Sequence, residues 1–267
     1  MSLIIGLFLA FIVGITLGVV GSGGSILTVP ILITVFGILP ETAFLYSLFI
    51  VGSTALFGAI KGMTEKNIDF KTGIGFGLTS IFTVYLTRIY LVTNLPEVLF
   101  RVGGFELTKD LYLLLLFAIL MVFASVSMIK NTNTLIEKNE VFLQKNKQLI
   151  FLIAGLLVGC ITGLVGAGGG FLIIPVLFLI GKLPMRRAVG TSLLIITLNS
   201  LVGFASNFQV GLHIDWRFLL TFTCFTILGV LFGIYLGKKI NGQRLKRSFG
   251  WFVLVLGIYI IISSLFF

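Results

Sequence analysis

Two glycine clusters are the parts of this chain whose composition and spacing could bind a ligand. The first cluster covers residues 21–25 and the second covers residues 166–170, and each stands between two apolar stretches. Consecutive glycines are poor helix formers, so each cluster predicts a break in a helix. A helix that restarts after such a break presents unpaired backbone N–H groups and the positive end of its dipole, which favours a small anion. The predicted backbone donors are Gly23, Gly24, Ser25, Gly168, Gly169 and Gly170.

Hydroxyl and amide side chains near the clusters could orient the bound anion. Ser47 and Thr54 share a helix face with a glycine, and Ser192 and Asn199 share the equivalent face later in the chain. For any one of these residues, an interhelical hydrogen bond is the alternative role. The face is polar in both places, which favours a common function. The predicted orienting side chains are Ser22, Ser47, Thr191, Ser192 and Asn199.

Catalytic chemistry has little support in this sequence. We find no nucleophile paired with a base, no cluster of metal ligands and no phosphate-binding glycine loop, so we predict neither an enzyme nor a cofactor. Ionisable side chains are nearly absent from the apolar segments, and an anion site built from backbone N–H groups needs no buried arginine. Asp69 and Asp215 precede aromatic residues at equivalent positions and are interpreted as helix caps. Arg186 and Arg187 could attract anions, although membrane topology alone explains them.

The composition places these clusters inside a membrane protein. Of 267 residues, 58% are hydrophobic and 10% are charged, whereas soluble domains are about 25% charged. Six apolar runs, near 42–60, 72–93, 111–129, 188–206, 218–236 and 249–267, have about the length that a spanning helix needs. The net charge of +10 comes from Lys and Arg in short loops, so membrane topology explains it better than a nucleic-acid partner does.

The chain is an internal duplication. The motif that begins at Gly14 and ends at Pro30 returns from Gly159 to Pro175, and the similarity continues to Asp69 and Asp215. We predict a first membrane repeat over residues 1–129, a polar cytoplasmic linker over 130–147 and a second repeat over 148–267. Together they form one membrane domain.

The distribution of positive charge predicts how the halves are oriented. If each glycine-broken segment dips into the membrane and returns, 15 of the 19 Lys and Arg residues lie on the cytoplasmic side, as the positive-inside rule requires. Each half then has a re-entrant helical hairpin and three transmembrane helices, and the halves are inverted, as in many secondary transporters. Both termini lie outside. The return limbs, near 25–38 and 171–181, are too short to span, so we expect both to start in mid-membrane and to face one anion.

The motifs resemble those of the sulfite exporter TauE/SafE family of membrane permeases. The similarity spans nearly the whole chain and is carried by residues 18–30, 163–175 and 188–192, although Tyr46 stands where the second half has Thr191. The resemblance implies an all-α, multi-pass protein of the cell membrane that moves sulfite, thiosulfate or an organosulfonate by alternating access. An anion channel that uses the same helix ends is the alternative. A coupling ion, H+ or Na+, is open, as are the oligomeric state and the direction of transport.

Overall fold

The computed structural model describes residues 2–21, 23–102, 105–129, 147–165, 169–179, 181, 183–206, 214–237 and 242–266. The helices of the first half are α1 (Ser2–Val20), α2 (Gly23–Thr34), α3 (Pro40–Thr64), α4 (Phe70–Leu86) and α5 (Lys109–Ile129). Those of the second half are α6 (Lys147–Val165), α7 (Gly170–Leu179), α8 (Met185–Ala205), α9 (Trp216–Gly237) and α10 (Gly242–Phe266). A π-helical segment, Thr87–Val92, continues α4.

The helical, membrane-embedded character predicted from composition is confirmed. Among the described residues, four helices are long and apolar enough to cross a membrane: Pro40–Thr64, Phe70–Val92, Arg186–Ala205 and Trp216–Gly237. The predicted span 111–129 falls within α5, and residues 249–266 of the predicted span 249–267 fall within α10; residue 267 lies outside the described residues. Large apolar side chains such as Phe8, Phe82 and Leu220 face outward, as a lipid environment allows.

One element departs from the purely helical expectation. The segment before α5 forms a two-stranded antiparallel sheet, with β1 at Val98–Val102 and β2 at Phe105–Thr108. Valine and phenylalanine are enriched in strands. The two strands follow α4 and its π-helical continuation in the chain and precede α5.

Both predicted breaks in the apolar segments occur. Helix α1 ends at Val20 and α2 begins at Gly23, and in the second half α6 ends at Val165 and α7 begins at Gly170. Gly21 has a φ of +77° and Gly169 a φ of +62°, a backbone conformation that glycine adopts without steric cost. The return helices have 12 and 10 residues, or about 18 and 15 Å. They are short, as the sequence predicts.

Helices of the first half pack against helices of the second half in matched pairs. Helix α1 packs on α9 and α6 packs on α4, while α3 contacts α8 and α5 contacts α10. When each helix is replaced by its equivalent in the other half, the contact of α1 with α9 becomes the contact of α6 with α4. The contacts of α3 with α8 and of α5 with α10 each become themselves. Helices α3 and α8 run antiparallel, because Gly52 lies against Ser200, whereas Gly62, ten residues later, lies against Gly190. Equivalent helices of the two halves therefore point in opposite directions at the centre of the bundle.

Glycines allow the close approach of α1 to α9 and of α6 to α4. A Cβ added at Gly14 would meet the Thr226 carbonyl oxygen, and one added at Gly18 would meet that of Val230. A Cβ added at the equivalent Gly159 would lie 2.5 Å from the Ser80 carbonyl oxygen. These glycines, spaced by four, thus serve helix packing, as small residues do in many membrane bundles.

Candidate functional site

The first interruption, at Gly21, lies against the second half of the chain. A Cβ added at Gly21 would lie 2.7 Å from the nearest Val189 side-chain atom. The Ser192 hydroxyl donates to the Val189 carbonyl at 2.8 Å and to the Gly21 carbonyl at 3.3 Å. Ser192 is fully buried. The structure therefore brings the predicted Ser192 to the first glycine cluster, where it hydrogen-bonds the backbone of the break.

Gly24, after the first break, and Gly169, within the second, are packed against the preceding helices. A Cβ added at Gly24 would meet the Val13 carbonyl oxygen of α1, and one added at Gly169 would meet the Thr162 hydroxyl oxygen of α6. Gly169 also accepts a hydrogen bond from the Leu172 N–H at 3.0 Å. Replacing either glycine with a larger residue would thus disrupt packing first. Gly23 and Gly170 begin the return helices, and the predicted Ser22 and Gly168 lie outside the described residues.

The two interruptions do not converge on one point. Gly21 lies against Val189, near the start of α8. Gly163, just before the second interruption, contacts Val84, and Val84 contacts Gly203 near the end of α8. The separation from position 189 to position 203 corresponds to about 21 Å along a helix.

This separation is larger than we expect for two helix ends that face a common anion. Helices α1 and α6 each have 19 residues, which is about 28 Å, so each return helix starts far from the beginning of the helix that precedes it. The start of both return helices in mid-membrane stays a prediction. We call the two ends of the bundle the Arg186 end, which holds the first interruption, and the Arg88 end, which holds the second.

Thr191 has a structural partner in the other half. Its hydroxyl accepts the backbone N–H of Asp69 at 2.9 Å, and the equivalent Tyr46 hydroxyl accepts the N–H of Asp215 at 2.7 Å. The two aspartates cap α4 and α9 by accepting from Thr72 N at 2.8 Å and from Phe218 N at 3.1 Å. Their interpretation as caps is confirmed. Tyr46 and Thr191 differ in type but make the same contact, which explains why the repeat tolerates the difference.

A second matched pair of hydrogen bonds lies near the middle of the bundle. The Asn199 amide nitrogen donates to the Ser80 hydroxyl at 2.6 Å, and Thr54 and Thr226, which are equivalent to Asn199 and Ser80, share a hydrogen bond of 2.6 Å between their hydroxyls. All four side chains are buried. Asn199 Oδ1 has no hydrogen-bond partner among the described residues. The predicted Asn199 thus joins two helices through its nitrogen.

The remaining predicted side chains are buried at opposite ends. Ser25 and Ser47 are both fully buried. Ser47 Oγ has no partner within the part of the chain that the structure describes, while its counterpart Ser192 hydrogen-bonds the first interruption. Ser47 adjoins Leu48, which contacts Gly203, so it lies towards the Arg88 end. The predicted site residues are therefore distributed over two places.

An open cavity of about 310 Å³ lies at the Arg186 end. That volume is at the lower end of the range of small-molecule sites, roughly 300–1,000 Å³. Its walls come from α1, α3, α8, α9 and the α3–α4 connection, and the space exists partly because five wall residues lack side chains: Gly18, Gly58, Gly62, Gly190 and Gly237.

The cavity wall holds one residue that suits an anion, Arg186. Asn67 and Glu65 also line it. Glu65 lies 3.9 Å from the Lys61 ammonium and accepts a hydrogen bond from the Asn67 amide nitrogen at 3.4 Å, so its carboxylate already has partners. Arg186 makes no ion pair within the described residues, and it stands in the first turn of α8, whose dipole adds positive potential. No group of three or more His, Cys, Asp and Glu among the described residues could hold a metal ion.

Sequence reasoning missed a buried arginine at the other end. Arg88 is 5% exposed, and neither its Nε nor its Nη2 has a hydrogen-bond partner among the described residues. The sequence analysis, which found ionisable side chains nearly absent from the apolar segments, did not single out this residue. The signal was available, because Arg88 lies inside the predicted span 72–93, but it also adjoins a loop in which basic residues are common.

A helical membrane protein with two interrupted hairpins, a cavity open at one end and a buried arginine at the other has the features of a membrane transporter. The sequence profile of the sulfite exporter TauE/SafE family matches residues 6–260. The chain belongs to that family.

Its relatives carry transporter names. The chain is 27% identical to the probable membrane transporter protein YunE of Bacillus subtilis (strain 168), with 93% of this chain and 92% of the relative aligned. It is 28% identical to a probable membrane transporter protein of Xylella fastidiosa (strain 9a5c), over 98% and 96% of the two chains. A probable membrane transporter protein of Methanocaldococcus jannaschii is 26% identical over 96% and 94%. No solved structure matches the chain significantly.

Proposed function

We propose that this protein is a secondary transporter that moves a small sulfur-containing anion, such as sulfite, thiosulfate or an organosulfonate, across the cell membrane by alternating access. The observation that carries the proposal is the cavity of about 310 Å³ with Arg186 at its wall. A guanidinium presents a planar fork of N–H donors that matches the oxygens of such an anion. The family description supports the sulfur chemistry.

We further propose that the halves are inverted repeats and that both termini lie outside the cell. The antiparallel contact between α3 and α8 supports the inversion, and the exchange of helix partners between the halves supports a two-fold relation. In such a protein, closing the cavity at one end and opening the equivalent region at the other exposes the substrate to alternate sides. The Arg186 end then faces the cytoplasm.

The substrate proposal is tested by uptake into proteoliposomes. Labelled sulfite, thiosulfate and taurine-derived sulfonate are offered separately, with and without imposed H+ and Na+ gradients. A transporter gives saturable uptake and counter-transport of the same anion. A channel gives flux that rises in proportion to concentration without counter-transport. Absence of protein-dependent uptake for all three anions would reject the proposed substrate class.

The role of the cavity is tested by substituting two neighbouring arginines and comparing the KM of the variants. Arg186 and Arg187 are both exposed and both in the first turn of α8, but only Arg186 lines the cavity. We expect Arg186→Gln to raise the KM for the transported anion at least tenfold, the scale of one lost charge-assisted contact of about 1.5–3 kcal/mol. Arg187→Gln should stay within about twofold. Equal effects of the two variants would show that general surface charge, and not the cavity, attracts the anion.

A further inference from the structure

We propose that Arg88 is the anion-binding group at the end of the transport pathway opposite the cavity, where its guanidinium takes the substrate oxyanion in the alternate state. This inference rests on the proposed function. It concerns a residue of the first half that has no charged counterpart in the second, because the repeat alignment from Asp69 and Asp215 places Ile234 at the equivalent position.

The repeat relation connects Arg88 to the cavity. Ile234, its counterpart, lines the cavity at the Arg186 end. Gly18, also in that wall, corresponds to Gly163, which contacts Thr87 beside Arg88. The repeat relation therefore makes the residues around Arg88 the counterparts of residues in the cavity wall. In the structure Arg88 is buried, with 5% of its surface exposed.

The guanidinium of Arg88 is incompletely satisfied. Its Nε and Nη2 lack hydrogen-bond partners among the described residues. Glu41 is close enough to interact electrostatically with it, but the Glu41 carboxylate is held by Lys109 at 2.9 Å. Leaving a buried charged donor unpaired costs several kcal/mol, so an arginine kept there indicates a ligand that pairs with it in another state.

The local backbone and polar neighbours fit a binding role. Arg88 lies in the π-helical segment Thr87–Val92, and π-helical turns occur frequently at functional sites. Ser47 Oγ, fully buried and without a hydrogen-bond partner among the residues that the structure describes, belongs to the same end of the bundle. Nε and Nη2 are the adjacent pair of donors that can hold two oxygens of one oxyanion.

Two substitutions at Arg88 test the proposal in proteoliposomes with labelled sulfite and thiosulfate. Arg88→Gln removes the charge and should abolish saturable uptake. Arg88→Lys retains the charge but replaces the fork with a single ammonium, and it should raise the KM about tenfold while the protein remains monodisperse. Arg217→Gln is the control, because Arg217 is an exposed residue of α9 at the same end, and its KM should stay within about twofold.

A purely structural role gives a different pattern. If Arg88 only balances Glu41, Arg88→Lys should keep the wild-type KM, and the double variant Glu41→Gln/Arg88→Gln should regain the uptake that Arg88→Gln loses. Either result would overturn the proposal. If Arg88→Gln does not fold, the KM of Arg88→Lys alone decides.

The failure of this inference can be told apart from failure of the proposed function. One outcome rejects only the role of Arg88: the wild-type protein takes up the anion, Arg186→Gln raises the KM as expected, and Arg88→Lys leaves the KM unchanged. The proposed transport function would then stand. Absence of wild-type uptake rejects the substrate class itself.

Discussion

Substituting Gly159 with alanine should separate α6 from α4. The added Cβ would lie 2.5 Å from the Ser80 carbonyl oxygen and 2.8 Å from Thr83 Cβ, whereas ordinary contacts begin at 3.4 Å. Relieving the shorter contact requires the two helices to move apart by about 1 Å, because a carbonyl within a helix cannot rotate away as a side chain can. Overpacking of this kind costs about 1–3 kcal/mol.

The matched control is Gly75→Ala on the other helix of the same pair. Gly75 lies within α4, is exposed, and has nothing within 4 Å of an added Cβ. Both substitutions gain the same helix propensity, about 1 kcal/mol, so the difference between the variants isolates the packing cost. For a chain of this size we expect Gly159→Ala to melt roughly 2–12 °C below Gly75→Ala.

The measurement is thermal unfolding of both purified variants in one detergent, followed by intrinsic fluorescence and by size-exclusion chromatography. A Gly159→Ala protein that melts at or above the temperature of Gly75→Ala would refute the reasoning. It would show that α6 and α4 are not in backbone contact, and the same interpretation of Gly14 and Gly18 against α9 would lose its support.

Two further predictions concern residues between the halves and at the Arg88 end. Thr191→Val removes the acceptor of the Asp69 N–H and should destabilise the protein by about 1 kcal/mol without changing the KM for the transported anion. Thr191→Ser keeps the hydroxyl and should retain the wild-type stability. A raised KM in Thr191→Val would instead support the predicted substrate contact. The pKa of Asp110, at the start of α5 and outside the predicted span, is raised by burial and by Glu41, with Lys109 opposing. The contribution of Asp110 to stability therefore falls as pH rises from the unfolded carboxyl pKa of about 3.9 through the higher pKa of the folded state. We expect Asp110→Asn to raise the melting temperature at pH 7 and to lose this advantage near about pH 3. A gain in melting temperature that is independent of pH would contradict this prediction.

The sequence by itself determined the helical membrane architecture, the duplication and the two breaks. These follow from local properties: long apolar runs, a repeated motif, and consecutive glycines at 21–25 and 166–170 that disfavour helix. The capping roles of Asp69 and Asp215 were also predictable, because a cap depends on residues only a few positions away. The inverted orientation of the halves, predicted from loop charge, stays a prediction, which the antiparallel contact of α3 with α8 supports.

Only the tertiary structure decided what the glycines and hydroxyls contact. Whether a glycine exposes its backbone to a ligand or admits a neighbouring helix depends on what lies opposite, and for Gly14 and Gly159 a helix backbone lies there. Thr191 and Asn199 likewise meet partners more than 100 residues away in sequence.

The separation of the two breaks also required the fold, because it depends on how deeply α1 and α6 enter the bundle. The same is true of Arg88. Its position in the sequence did not distinguish a residue at the membrane surface from a buried guanidinium, since that difference is set by the α6 and α8 residues that pack against its helix.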